Sequence, residues 1–350
     1  MPRVLRSGAL LALVLASGCN SAIPHALAGA FDRPPDPAPW IYEPRTAPDT
    51  AVEREAELLE RFAPAFVIEE GEAEFNRIGT PSLYRRAGVE WARVDTARAS
   101  LYAEARPERI GERELVQLVY RIHFDQFAWT ASHLTSLHRN AGLLVLVTVD
   151  PERDAPLFLT SVHTCGCWLA ISPTTALDDA CLPPDWPPDR LDVWGERIPA
   201  RLAEPGPGER YVLHLASRTH RVRDVTLEPA APPSAPRGAI ELVLRPHDEL
   251  YALAIQGAPG EHGSFFYERG FLRGHVRGAW APIEGLTLGL LVLDVRLGMD
   301  KDFGDPSATG ARFYTAIAPW KRERSRLDRF GRMLEGLGFQ MAASAPVEGG

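Results

Sequence analysis

The chain has 350 residues, 45% of them hydrophobic and 24% charged, with a formal charge of −8. That length and apolar content can bury a sizeable core in one or two domains and exclude a disordered or low-complexity polypeptide. The acidic balance excludes a general nucleic-acid binder, whose footprint is basic, and the 31 prolines speak for ordered loops and stiff linkers against a compact helical bundle.

Arg3 and Arg6 precede an apolar run, Ala9 to Ala16, that is too short to span a bilayer. Ala16-Ser17-Gly18-Cys19 follows, and this segment resembles a bacterial lipoprotein signal, with Ala16 where Leu is usual and Leu15 one step earlier. The resemblance covers residues 1–18 and Cys19 only; the rest of the chain resembles no characterised family. It implies removal of 1–18, lipidation of Cys19 and an exported protein held on a membrane, since two or more acyl chains anchor stably. Asn20 in place of the Asp that marks inner-membrane retention points to the outer membrane. An ordinary cleaved secretory signal with an incidental Cys would also export the chain.

Residues 19–49 are polar and proline-rich and read as a tether. Thr50 and Glu53 have capping-box spacing, so a helix is expected from Thr50 to the stop at Pro64. Short β-branched runs then alternate with turn residues and read as strands: AFVIE near Phe66, VEWARVD near Trp91, LVQLVYRIHF from Leu115, and GLLVLVTVD from Gly142, the last joined to the next strand through PERDAP by a hairpin. YVLHLAS and RVRDVTLEP follow, then EPAAPPSAPRG, the best internal boundary, then IELVLRP and LYALAIQ. Ile283 to Leu297 reads as a buried helix by its apolar composition, and a last helix is expected near Trp320 to Leu337. The fold class expected is α+β: an antiparallel-sheet-rich body with an N-terminal helix and a helical C-terminal part. The divisions are a β-rich segment at 50–228 and an α+β segment at 239–340 packed on it.

The densest potential chemistry lies in Leu157 to Pro173, read as one long strand carrying His163, Cys165 and Cys167 at alternate positions and so on one face. Two readings stay open. In an exported protein a disulfide from Cys165 or Cys167 to Cys181 would close a loop of about fifteen residues, worth about 3 kcal/mol in the chain-entropy model. Alternatively His163, Cys165 and Cys167, with Cys181 or His123 as a fourth ligand, would bind Zn or Cu. Same-face neighbours on a strand stand ~6.8 Å apart, so that site needs a bend, which Gly166 permits. A redox Cys-Gly-Cys pair and Cys–His catalysis are weaker variants of the same idea.

Elsewhere His133 and His138 lie in a polar connector. His275, between Arg273 and Arg277, is an anion candidate or part of a solvated face. Asp300, Asp302 and Asp305 fail the EF-hand pattern and read as a turn with an Asp cap. The basic residues from Lys321 to Arg332 read as a solvated helix face, anionic lipid being the alternative. The sequence therefore points to a lipid-anchored cell-envelope protein, a binding or assembly module with structural cysteines engaging an envelope partner. The alternative is a metal- or thiol-dependent protein, an enzyme among its variants.

Overall fold

The structure is a computed structural model that describes residues 40–45, 53–69, 73–126, 139–229, 240–279 and 285–341. Cys19, Thr50, His133 and His138 lie outside them. The strands are β1 (Trp40–Arg45), β2 (Ala65–Ile68), β3 (Ile78–Arg86), β4 (Val89–Asp95), β5 (Ala99–Ile110), β6 (Arg113–Gln126), β7 (Arg139–Asp150) and β8 (Ala155–His163). They continue as β9 (Ala170–Pro173), β10 (Arg190–Val193), β11 (Glu196–Pro199), β12 (Glu209–Leu215), β13 (Val222–Pro229), β14 (Ile240–Pro246), β15 (Leu253–Gln256) and β16 (His262–Gly263). The α-helices are short: α1 (Glu53–Arg61), α2 (Pro306–Thr309) and α3 (Phe330–Gly336).

This corrects the α+β expectation. At 46% strand and 17% helix the protein is strand-dominated, and its large mixed sheet curls into a near-barrel. Along the curl the order runs β13-β12-β2-β1-β14-β5-β6, then through β7 and β8 to β9, with β3, β4, β15 and β16 branching from the end of β6. The sheet is mixed because β14, which follows the proline-rich boundary, inserts parallel to both β1 and β5, and because β12 pairs parallel with β2 and β15 with β3. Among the described residues β1 precedes α1, so the body does not open on a helix. At the far end Pro306, Pro319 and left-handed Gly310 and Gly338 cut the expected helical part into single turns and 3-10 segments.

β6 shows how the layers form. Leu118, Tyr120, Ile122 and Phe124 point into the barrel, where they meet Leu143, Val145 and Val147 of β7 and Leu58, Leu59 and Phe62 from α1 and the residue just beyond it. The Tyr120 hydroxyl donates to the Leu59 carbonyl at 2.9 Å, which fastens α1. The alternate residues Val119, Arg121 and His123 point outward, but they are also buried, because residues 247–341 cover that face. A strand covered on both sides reads as a near-continuous apolar run. That explains the unbroken hydrophobicity of β6 to β8.

Ile283 to Leu297 is not a buried helix. Its described part, from Gly285, is one π-turn (Gly285–Gly289) followed by turns, and it leaves most of its leucines in solvent. The last expected helix is reduced to 3-10 turns and α3; Leu327, Phe330 and Leu334 are buried, and Leu337 is exposed.

Candidate functional site

The stretch from Leu157 to Pro173 is a hairpin. β8 ends at His163, residues 164–169 turn, and β9 folds back so that Ser161 faces Ala170 and Phe158 faces Pro173. The His163 N–H donates to the Cys167 carbonyl at 2.9 Å and the Gly166 N–H to the His163 carbonyl at 2.7 Å. Gly166 has φ +97°, and a Cβ there would sit 2.3 Å from the Tyr314 carbonyl oxygen, so only glycine makes this turn.

The common face proposed for His163, Cys165 and Cys167 therefore does not exist: the cysteines sit on the turn, half-buried, beyond the strand. Cys165, Cys167 and Cys181 are all free thiols, so the Cys181 disulfide is not formed. Cys181 lies in a 3-10 turn (Asp179–Cys181) in the apolar layer with Leu177 and Phe339, and His123 lies two strands from His163, on β6. Among the described residues no three His, Cys, Asp or Glu side chains gather closely enough to hold a metal ion. Burial, after the hydrogen bond with Cys167, pushes the Cys165 thiol well above its ordinary range.

The turn instead lies against residues 300–302. The Lys301 N–H donates to the Thr164 carbonyl at 3.0 Å, and the Thr164 hydroxyl donates to Asp300. The Asp-rich motif is thus a buried crosspiece with consecutive residues in different settings; only Asp305 behaves as the expected cap, accepting from the Ser307 N–H at the start of α2.

Asp302 enters a sealed ionic cluster on the outer face of the barrel. Its carboxylate stands 3.9 Å from the Arg121 guanidinium and 3.6 Å from His247 Nε2, and it accepts the Tyr251 hydroxyl. His247 Nδ1 is 3.3 Å from Glu104, which also pairs with Arg106, and Arg121 Nε is bonded to His123 Nε2 at 3.1 Å. Burial raises the Asp302 and Glu104 carboxyl pKa values, and it drives His123 and His247 well below the usual imidazole range, helped by the nearby guanidiniums. With Arg121 and Asp302 each almost wholly out of solvent, this cluster is a structural clamp between sheet and cover.

Lys301 enters a cleft of about 140 Å³ on the other side. The lysine is 1% exposed. Its ammonium donates to the Cys165 carbonyl at 3.0 Å and lies over the Tyr314 ring at 5.1 Å, and no carboxylate among the described residues pairs with it. Arg296, Arg312, Arg322 and Arg326 also line the cleft, against Asp294 and Glu323. Asp328 pairs with Arg326 at 2.5 Å, Asp294 takes Arg296 at 3.3 Å and the Tyr314 hydroxyl, and Glu323 takes Arg312 at 3.3 Å. Among the described residues Lys301 is the cation of this lining that has a backbone carbonyl and an aromatic face but no carboxylate. Arg322 sits over Tyr314 at 4.8 Å and donates to the Val292 and Ile317 carbonyls.

His275 completes the wall. Its Nδ1 faces the Leu272 and Arg273 carbonyls at 3.2 Å each, which makes Nδ1 the N–H donor and Nε2 the acceptor. Burial, then Lys301 and Arg296, push its pKa down to about 4, so the ring is neutral at neutral pH. Of the sequence trio only His275 reaches the cleft. Arg273 caps the Ala308 carbonyl and Arg277 the Ser264 carbonyl. Nor do Arg322 and Arg326 lie on a solvated helix face, since both turn inward.

Comparison of the chain with protein-family profiles, with curated proteins and with solved structures finds no match in any of the three.

Proposed function

We propose that this is an exported, lipid-anchored binding protein whose cleft holds one small oxyanion group, a phosphate, sulfate or carboxylate. The observation that carries the reading is Lys301: an ammonium 1% exposed whose anionic partner is not supplied by the described residues. Burying a charge costs several kcal/mol after relaxation. One charge-assisted hydrogen bond returns about 1.5–3 kcal/mol, and the aromatic face about 1–2 kcal/mol. An anion at ~4 Å gains about 4 kcal/mol at an effective dielectric constant near 20, which corresponds to a dissociation constant of about a millimolar from that contact alone. The guanidiniums of Arg296 and Arg312 at the rim add hydrogen-bond donors suited to oxyanions. The anchor and export rest on the segment around Cys19.

The test is calorimetric titration of the full-length chain, in detergent, with sodium phosphate and sodium sulfate. Saturable binding is expected, weakened about a thousandfold, to beyond detection, in Lys301→Met by loss of a contact worth about 4 kcal/mol. Arg312→Gln, at a side chain 65% exposed and therefore harmless to folding, is expected to weaken it several-fold. Absence of saturable binding, or affinities unchanged by both substitutions, would sink the reading.

A further inference from the structure

The rim of the cleft continues into a run of exposed leucines. Leu286, Leu290, Leu291 and Leu293 are 68%, 56%, 48% and 84% exposed, and Leu293 itself lines the cleft. Aliphatic side chains so concentrated in solvent mark an interaction surface rather than ordinary surface scatter.

The segment is built, not frayed. The Asp294 N–H donates to the Gly289 carbonyl at 2.7 Å, and Val292 is wholly buried beneath it. Gly289 lets the loop close on itself, because a Cβ there would lie 2.7 Å from the Asp294 carbonyl oxygen. Leu293 holds φ at +57°, a left-handed backbone conformation that L residues adopt only under strain. The loop therefore spends conformational energy to present a leucine to solvent.

Two further exposed aromatics are tied to this patch by the cleft's own arginines. Arg296 lies over the Phe271 ring at 4.9 Å, and Arg322 bonds the Val292 carbonyl from the segment that carries Trp320. Phe271 and Trp320 are 64% and 68% exposed. Leucines and aromatics thus stand beside the cleft in which the Lys301 ammonium has no carboxylate partner among the described residues.

We infer that this face docks on an anionic phospholipid surface: the leucine loop, Phe271 and Trp320 enter the acyl boundary, and the cleft takes a lipid phosphate. Charge complementarity selects this occupant over a second copy of the chain, which would set one cationic cleft near another. Apolar side chains that insert and cationic side chains that meet headgroups are the two forces of interfacial binding. The inference rests on the oxyanion reading and names its source, a headgroup and not a free ion.

The experiment uses the full-length chain with Cys19→Ser, so that no acyl chain contributes, and the same chain with Leu286→Gln and Leu290→Gln added, two exposed leucines outside the cleft lining. Both are sedimented with vesicles of phosphatidylglycerol and phosphatidylethanolamine or of phosphatidylcholine, and both are titrated with phosphate. Tighter binding to the anionic vesicles, reduced about tenfold by the leucine substitutions with phosphate affinity unchanged, supports the inference. Equal vesicle binding by the two chains, with phosphate still bound, overturns the lipid docking and leaves the oxyanion reading standing. No phosphate binding by either chain removes both. Self-association that the leucine substitutions abolish, without any vesicle dependence, overturns the docking in favour of a second copy.

Discussion

The two sides of the crosspiece Asp300–Asp302 use charge in opposite ways. On the barrel side, Arg121, Asp302 and His247 are buried and wedged among the rings of Phe265 and Phe266, with half-buried Glu104 beside His247. On the cleft side, Lys301 lines a cavity with no carboxylate among the described residues paired to it. A matched buried pair stabilises little on balance but is expensive to break. An unmatched one is the arrangement that a ligand completes. Adjacent residues of one segment thus stand in opposite settings, one packed against its partners and one with the setting that the proposed ligand would complete.

The largest expected effect falls on the sealed side. Arg121→Leu leaves Asp302 buried without its guanidinium and should cost about 3–5 kcal/mol in denaturant unfolding, whereas adding Asp302→Leu should recover most of that loss. Comparable losses for the single and double variants would show that the clamp is not an ion pair in energetic terms.

The next effect is in pH. In the unfolded chain His275 takes a proton near pH 6.5, but in the fold only near about 4. The unfolded state therefore binds more protons between these values, so its contribution is fully present above pH 6.5 and is lost as pH falls toward 4, up to about 3 kcal/mol. Glu104 and Asp302, raised by burial, act in the opposite direction. The contribution is isolated by comparing urea midpoints at pH 7 and pH 5 for the native chain and His275→Gln. The variant should lose less on acidification; an equal loss would remove His275 from the account.

Gly166→Ala should cost about 1–3 kcal/mol through its positive φ, with the Tyr314 contact added. It should also weaken phosphate binding, because the turn holds the carbonyl that positions Lys301. Unchanged phosphate affinity in a destabilised chain would separate the turn from the cleft. The smallest effect concerns the thiols: with its pKa pushed up, Cys165 should react with iodoacetamide at pH 8 about tenfold more slowly than in the urea-unfolded chain. Equal rates would show the turn to be open.

What could be read beforehand follows from local chemistry. β2, β4, β6, β7, β12, β13 and β14 all fall on runs identified by β-branched composition and punctuation, because strand content is written locally. Pairing is not, and so the insertion of β14 between β1 and β5 was illegible. Gly166 signals a possible bend, but the bend is a complete reversal against Tyr314, a contact about 150 residues away in sequence. Ile283 to Leu297 misled because apolar composition ordinarily means burial. His275 was visible as an anion candidate, yet its neighbours in sequence are not its neighbours in space. Lys301, hidden between two acidic residues, carried no signal at all.

The central claim is that an oxyanion completes the cleft at Lys301. Crystals of the protein soaked in selenate, measured at the selenium edge, test it most directly. The account predicts an anomalous peak within hydrogen-bond reach of Lys301 Nζ that disappears in Lys301→Met. A peak confined to other surfaces, or one that persists in the variant, would contradict it.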